Sequence, residues 1–523
     1  MSISTSTEPR LRIKDNPIMI AQTRRRVRPK PFFTIIGIVG TICLFFLNTA
    51  PMVVTAKACL FIVGGLLFVR ATAEVAAAVL FDRTSGLIDF HRSTPTTPLT
   101  DAVGYVVGSA AREYAGAATA GLCAIFAMTS AGASLVDSLL ILAVLFGCAF
   151  TYQSFGLFAG LVFNKTKVAK GFAPTTIIII LMITNGVGGG MLTPLFHLTP
   201  LPALAEIGLY GETADKFTTS VAFFGLEIAP LLYTLVIQAL FCGFFLACAC
   251  RKLVHAEAVS IERKTGLAFV GAFLILMVGA LWPMLGEMGT ISELSKTAVV
   301  SEDIERAVQS GRALWGLGMI LVIGMVLSAL FICIQAPRPL HASRAMRREK
   351  AGKTKGPAWL GDGAPVLKLL QAYVGILWAI SAASILRAMD GDTAKLFQAE
   401  SLLLFVAIPA VLGMAAYGMT YARMVSRTRR GSLYTFLLLA GPFLLAMVLG
   451  LGGTDGQTLQ YIMAISPLTA LFGAPFLALS SLFAGLDLSM EVVGVSVAIN
   501  AVMAYLAYQK TQARWAELRA RIA

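Results

Sequence analysis

The side chains best placed to do chemistry lie in one polar, turn-rich stretch, residues 82–98, between two long apolar segments. Asp82 and Arg83 begin it, and Gly86 permits a backbone turn that is closed to other residues. Thr-Pro pairs at 94–95 and 97–98 favour a break followed by a new helix, which Thr97 or Thr100 is suited to cap. We expect a rigid helix parallel to the surface that fits a groove on a cytoplasmic partner.

An ordinary polar loop, held near lipid headgroups by Arg83 and Arg92, explains the same stretch equally well. Charged residues within the apolar segments are a second group of candidates, because burying a charge in hydrocarbon is costly. The candidate intramembrane polar residues are Glu74, Arg112, Glu113 and Glu227. Arg70 lies one turn before Glu74, so we expect these two to pair, and Pro230 after Glu227 predicts a kink. For each of these four residues, an ion pair that stabilises the fold or a position at the membrane interface is an alternative to a role in the path of a substrate.

Catalytic chemistry has little support in the sequence. The eight cysteines lie in or at the ends of apolar segments, and the four histidines form no ligand cluster. No nucleophile, histidine and acid occur in a recognisable order. The phosphate loop GxxxxGK[ST] is missing, so ATP hydrolysis cannot be assigned to this chain. We therefore predict no catalytic residue, no metal site and no cofactor in the chain.

The composition is that of a membrane protein. Of 523 residues, 57% are apolar and only 13% are charged, about half the charged fraction of a globular protein. The apolar residues occur in blocks near the roughly 20 residues that a helix needs to cross a bilayer. The net charge of +14 could indicate nucleic-acid binding, but its concentration in alternate loops favours the positive-inside rule instead.

The apolar blocks predict about twelve crossings in two series of six. The first series is 32–50, 52–81, 103–129, 134–163, 172–194 and 219–249, and the second is 265–286, 312–335, 366–388, 397–422, 432–452 and 490–508. Basic residues in alternate loops and in the tail place both termini in the cytoplasm. A thirteenth crossing at 459–484 would put the basic tail outside. We therefore expect that stretch to be a re-entrant or interfacial hairpin on the outer side, broken at Pro467 and Pro475.

The two series resemble each other. Thr199-Pro200-Leu201-Pro202-Ala203-Leu204 recurs 267 residues later as Ser466-Pro467-Leu468-Thr469-Ala470-Leu471, each after the fifth segment of its series. The chain thus predicts an all-α polytopic membrane protein of two parallel six-helix halves. Pro200 and Pro467 mark an outer re-entrant hairpin before each half's last helix. The expected organisation is a basic amphipathic segment 1–31, a first half 32–250, a cytoplasmic linker 251–264, a second half 265–508 and a basic tail 509–523.

The order acidic-Arg-x-x-Gly-Leu-Ile-Asp, then Arg-x-Thr-Pro and a second proline, resembles the loop after the second span of type-2 ABC exporter permeases. Asn16-Pro17-Ile18-Met19 before Arg24-Arg25-Arg26 is similar to the amphipathic helix that begins the same family. The outer Pro-Leu hairpin is a third resemblance. These features cover the first half, whereas the second half matches mainly in its pattern of spans and its hairpin.

The resemblance implies the membrane subunit of an exporter in a bacterial inner membrane, with two permease halves fused. A separate nucleotide-binding subunit would hold ATP and Mg²⁺ and dock on the inner loops, and accessory proteins on the outer side are further candidate partners. The resemblance assigns the coupling role to one set of residues: Asp82, Arg83, Gly86, Leu87, Asp89, Arg92, Thr94, Pro95 and Pro98.

Two departures from that family stand out. Asp82 occupies a position where the family usually has glutamate, and the corresponding loop of the second half, 335–363, is strongly basic and lacks the acidic-Arg-Gly pattern. A twelve-span secondary transporter of the major facilitator type is the alternative, because it too carries an Asp-Arg loop after its second span. A membrane scaffold that transports nothing is the other alternative. The substrate is left open by the sequence.

Overall fold

A computed structural model gives the fold of the chain. It describes residues 16–92, 96–163, 165, 168–172, 174–178, 193–206, 221–255, 259–294, 301–336, 347, 366–388, 391, 393–425, 467–480 and 489–520. The predicted spans 172–194 and 432–452 therefore lie wholly or mostly outside the described residues, as do Thr94 and Pro95. The chain forms two units, the first ending at Ser260 and the second beginning at Ile261 and also including residues 222–227.

Almost all of the described residues are helical, which confirms an all-α polytopic membrane protein in outline. Among them, nine helices are long and apolar enough to cross a membrane. These candidate spans are Pro29–Thr49, Met52–Thr84, Leu135–Val162, Pro230–Val254, Arg263–Gly286, Gly316–Gln335, Val366–Ala388, Ala399–Ala422 and Met490–Glu517.

The helices of the first unit are α1 (Pro17–Arg26), α2 (Pro29–Thr49), α3 (Met52–Thr84), α4 (Leu87–Arg92), α5 (Pro98–Ser109), α6 (Ala111–Ser130), α7 (Leu135–Val162), α8 (Thr193–Phe196), α9 (Leu201–Glu206) and α10 (Pro230–Val254). Before α10, strands β1 (Val221–Phe223) and β2 (Leu226–Ile228) form a two-stranded hairpin. The second unit contains α11 (Arg263–Leu294), α12 (Ser301–Gln335), α13 (Val366–Ala388), a 3₁₀ turn (Thr393–Phe397), α14 (Ala399–Val425), α15 (Pro467–Ser480) and α16 (Met490–Ala520).

Proline sets the start of several helices in the first unit. Pro17, Pro29, Pro98 and Pro230 each occupy the first helical turn, where the missing N–H leaves no helix hydrogen bond unmade. The expected kink at Pro230 is therefore wrong, because this residue begins α10. Asn16 caps α1 by accepting from the Ile18 N–H at 2.9 Å, which is typical of an N-cap side chain.

Small residues let α3 and α7 pack closely. A Cβ placed on Gly156 of α7 would lie 2.6 Å from the Thr72 carbonyl oxygen, and one placed on Gly160 would lie 2.5 Å from the Ala76 carbonyl oxygen. Backbones approach this closely in membrane helices when two small residues stand four positions apart. The contact fixes the end of α3 that leads into the polar stretch 82–98.

Three predicted segments differ from the structure. The span 103–129 is two helices, α5 and α6, separated at Ala110, whose φ of −99° and ψ of 6° interrupt the helix. Within the predicted span 219–249, strands occupy Val221–Phe223 and Leu226–Ile228, and the helix begins only at Pro230. The interval 287–311 between the predicted spans 265–286 and 312–335 is partly helical, because α11 continues to Leu294 and α12 begins at Ser301.

The two predicted hairpins contain short helices. Pro200 precedes α9, and its carbonyl accepts the Leu204 N–H at 3.0 Å. Pro467 begins α15, but Pro475 lies inside that helix, so the expected break at Pro475 is wrong. Helix α15 packs against α12, α14 and α16, where the ring of Phe476 lies over Gly318 and Val493 lies over Gly473. The chain on either side of α15, at 459–466 and 481–484, is outside the described residues.

Candidate coupling site

Asp82 is a buried junction between three helices. Its side chain, on the last turn of α3, has 1% relative exposure. Gln22 of α1 donates from Nε2 to Asp82 Oδ2 at 2.7 Å, and the hydroxyl of Tyr105 in α5 donates to the same oxygen at 3.0 Å. The guanidinium of Arg25 lies 3.7 Å from Oδ1. The predicted coupling carboxylate thus lies inside the protein and ties α1 and α5 to the end of α3.

Burial is the main reason why the pKa of Tyr105 is raised well above its ordinary value, and the nearby Asp82 carboxylate adds to it. The phenol therefore stays protonated and donates its hydrogen to Asp82. Two neutral side chains thus donate to one oxygen of the buried carboxylate, Oδ2, while Arg25 lies nearest to Oδ1. Such bonds to a charged acceptor are stronger than bonds between neutral groups.

Two arginines connect the polar stretch to the ends of other long helices. The Arg83 guanidinium donates to the carbonyls of Leu161 and Phe163 at the carboxyl end of α7. Arg92 donates from Nε to the Leu253 carbonyl at 2.6 Å, at the carboxyl end of α10. Cations stabilise these helix ends, where carbonyls lack partners and the helix dipole is negative. Both guanidinium groups thus bind protein carbonyls, which the alternative of an ordinary loop near lipid headgroups does not require.

The turn between these anchors has one buried side and one exposed side. Gly86 has a φ of +80°, which favours glycine. Ile88 is only 2% exposed, whereas Leu87 is 44% exposed and the Asp89 side chain is 74% exposed. The exposed side consists of Thr84, Ser85, Gly86, Leu87 and Asp89; we call it the loop tip.

Helix α5 follows the loop and begins as the sequence predicts. The Thr97 hydroxyl accepts the Thr100 N–H at 3.1 Å, and Pro98 is the first helical residue. One face of α5 packs tightly on α1. A Cβ on Gly104 would lie 2.5 Å from Asn16 Nδ2, and one on Gly108 would lie 2.8 Å from the Met19 carbonyl oxygen.

The predicted intramembrane charges pair in an unexpected way. Glu74 binds Arg26 of α1 at 2.7 Å, not Arg70. Arg70 lies 3.3 Å from Glu113, and the neighbouring Arg112 binds the same carboxylate at 2.8 Å. Glu113 is completely buried, and two cations compensate the cost of burying its charge. These residues thus join α1, α3 and α6.

The remaining predicted residues lie elsewhere. Glu227 is exposed on strand β2, not within a helix. Pro200 belongs to a different cluster, which no sequence pattern indicated. There, His197 Nδ1 lies 2.7 Å from the Thr234 hydroxyl, and Tyr152 donates to the Leu198 carbonyl at 2.6 Å. Burial lowers the pKa of His197 to about 3, so the ring is neutral.

The second unit contains a comparable junction. Gln335, the last residue of α12, is 1% exposed and accepts the hydroxyl hydrogen of Tyr373 at 3.2 Å. Its Nε2 donates to the Glu262 carbonyl at 3.1 Å, just before α11. Gly266 lies so close that a Cβ there would collide with this amide. A neutral side chain thus joins α11, α12 and α13.

Comparison with models of protein families, with curated proteins and with solved structures found no match.

Proposed function

We propose that this chain is the membrane subunit of an ATP-binding-cassette exporter, driven by a separate ATPase subunit that carries ATP and Mg²⁺. The observation that carries the proposal is the anchoring of the stretch 82–98. Asp82, Arg83 and Arg92 hold the ends of α3, α7 and α10, while the loop tip remains exposed.

This geometry suits the transmission of movement. A partner that displaces the loop tip would move three apolar helices together, because each anchor is a hydrogen bond to a helix end or between buried side chains. The exposed Leu87 offers an apolar contact, and the exposed Asp89 offers a carboxylate that pairs with Arg92. A loop attached to one helix alone would move without the others.

The experiment is purification of the full chain from its native membrane in mild detergent, followed by an assay for vanadate-sensitive ATP hydrolysis. Leu87→Asp places a charge on the loop tip without touching an anchor. Leu99→Asp is the matched control, since Leu99 is also an exposed leucine, 54% exposed, but lies on α5 beyond the loop tip.

We expect an ATPase with a phosphate loop to copurify with the wild-type chain and with Leu99→Asp, and to be lost with Leu87→Asp. If the ATPase copurifies equally well with the Leu87→Asp variant, the loop tip is not part of the interface. A protein that emerges intact and without any ATPase would overturn the proposal. The next hypothesis to test would then be transport driven by a proton or sodium gradient, as in a secondary transporter. If no transport is found, a scaffold role would be the hypothesis that is left.

A further inference from the structure

A basic pocket lies at the amino-terminal end of α2 and adjoins the coupling site, because Thr84 of the loop tip and Arg25, the partner of Asp82, are among its lining residues. The proposed function assigns it no ligand. It has a volume of about 570 Å³ and lies among α1, α2, α3, α6 and residue 170. Five cationic side chains and one carboxylate line it: Arg25, Arg26, Arg28, Arg112, Lys170 and Glu74. We call it the basic pocket.

The charges of the basic pocket are only partly balanced by protein. Arg26 pairs with Glu74 at 2.7 Å, Arg112 with Glu113 at 2.8 Å, and Arg25 lies 3.7 Å from Asp82. Within the part of the chain that the structure describes, neither Arg28 nor Lys170 forms an ion pair. Concentrating like charges in this way is unfavourable unless an anion neutralises them.

A second observation concerns Arg26. Its Nε is buried and, among the described residues, has no hydrogen-bond partner, although one of its two terminal nitrogens binds Glu74. A buried donor without an acceptor is destabilising, so an acceptor at this position would stabilise the protein. Phosphate oxygens are suitable acceptors, because guanidinium groups bind them with two parallel hydrogen bonds.

The apolar surroundings indicate where such a phosphate comes from. Ala77, Ala78 and Phe81 of α3 form part of the lining. Helix α2 starts at Pro29, directly beside the pocket, and only 11% of its apolar window is buried in the protein. Its first turns expose Phe33, at 68%, and Ile38, at 56%. A molecule with a phosphate in the pocket could therefore lay acyl chains along α2.

We propose that the basic pocket binds a phosphate ester, and that its source is the headgroup of an anionic membrane lipid. The bound headgroup would neutralise Arg28 and Lys170 and hold α1 against the start of α2. The proposal does not depend on an ATPase partner. A soluble phosphate ester shares the same chemistry and is separated from the lipid by the experiment.

The test is a thermal-unfolding titration of the purified full chain with phosphatidylglycerol in mixed micelles. Phosphatidylcholine is the neutral comparison, and glycerol 3-phosphate is the soluble one. The pocket variant is Arg28→Gln with Lys170→Gln. Its matched control, Arg24→Gln with Lys165→Gln, removes the same charge from two exposed residues outside the pocket lining.

We expect phosphatidylglycerol to raise the unfolding temperature of the wild-type chain at lower concentration than phosphatidylcholine does. Half-saturation should weaken at least five-fold in the pocket variant and less than two-fold in the control. Should the double variant fail to fold, Lys170→Gln alone, at an exposed side chain, makes the same comparison and should weaken binding at least two-fold.

Three results would overturn the proposal. Equal weakening in the pocket and control variants would indicate unspecific charge attraction. Equal effects of the two lipids would mean that binding does not require an anionic headgroup. A shift that glycerol 3-phosphate saturates, and that blocks phosphatidylglycerol, would assign the site to a soluble phosphate ester and not to lipid.

Discussion

In each unit a buried tyrosine joins the end of one long helix to a later helix, but the acceptor of its hydrogen bond differs. Asp82 accepts from Tyr105 and also from Gln22. Gln335 accepts from Tyr373 and donates to a backbone carbonyl. The first junction is therefore charged and gathers donors from two other helices, whereas the second is neutral and balanced. Hydrogen bonds to a carboxylate are stronger than hydrogen bonds to a neutral oxygen. Loss of a donor therefore costs more at the first junction than at the second.

The difference extends to the chain that leaves each junction. After Asp82 the chain makes an anchored turn with an exposed tip, held by Arg83 and Arg92. After Gln335 the sequence is strongly basic. If the proposed function holds, the first unit carries the anchored coupling loop, and unequal coupling of the two halves is the expected behaviour.

The largest effect is expected from Asp82→Ala. It leaves two buried donors, on Gln22 and Tyr105, without their acceptor, so we expect the free energy of unfolding to fall by about 3 kcal/mol. Thermal or denaturant unfolding in detergent measures this. Asp89→Ala removes a carboxylate that is 74% exposed and pairs with Arg92, and because exposed ion pairs contribute little it should change stability by less than about 0.5 kcal/mol. Equal effects of the two variants would contradict the role of Asp82 as a junction.

Close packing is the next difference to test. Gly160→Ala puts a methyl group against the Ala76 carbonyl, so we expect a loss of about 2 kcal/mol. Gly375 of α13 has nothing within 4 Å of the place that a methyl group would occupy, and Gly375→Ala should be neutral or stabilising by about 0.5 kcal/mol. The same unfolding measurement checks both. A tolerated Gly160→Ala would mean that α3 and α7 can separate without cost.

Gln335→Ala tests the neutral junction. It removes an acceptor from Tyr373 and a donor from the Glu262 carbonyl, and a hydrogen bond between neutral groups contributes about 1 kcal/mol. We therefore expect a loss of about 1.5 kcal/mol, smaller than that of Asp82→Ala. Unfolding curves of the two variants, recorded in one detergent, give the order. The reverse order would mean that the charge at Asp82 adds nothing.

Among the junction variants, the smallest effect is expected from Asp82→Asn, which removes the negative charge and keeps an acceptor oxygen. An asparagine oxygen can still accept from Gln22 and Tyr105, while the attraction to the partly exposed Arg25 is lost. We expect a loss of about 0.5–1 kcal/mol. Raising the salt concentration should weaken the wild-type chain toward the variant. A loss as large as that of Asp82→Ala would show that the charge, and not the hydrogen bonds, holds the junction.

The sequence predicted those features that depend on neighbours along the chain. Apolar length was enough to locate the nine described candidate spans, and Thr97 before Pro98 was enough to place the start of α5. The break at Ala110 was missed because apolar residues continue across it. The hairpin before α10 was missed because its strands contain only three residues each.

Pairing between helices could not be predicted in the same way. Arg70 lies one turn from Glu74, which favours a local pair, but both side chains find partners on other helices. The choice depends on how α1, α3 and α6 pack, which one sequence does not specify. Arg83 and Arg92 were identified as important residues, but their carbonyl partners at 161–163 and 252–253 are far away in the chain.

Helix α3 contains a π-helical segment, Gly65–Arg70, between its two α-helical parts. Such a segment amounts to one residue inserted into an α-helix, and each residue turns the helix by about 100°. A π-helical turn takes up more residues than an α-helical turn, so the segment accommodates the extra residue with little change in the direction that Glu74 and Asp82 face. Deleting one residue within 65–70 should therefore return the segment to an α-helix and leave the hydrogen bond between Tyr105 and Asp82 in place. Deleting one residue between Ala71 and Leu80 should instead rotate Asp82 by about 100° away from Tyr105, so length changes should be better tolerated within 65–70 than between 71 and 80.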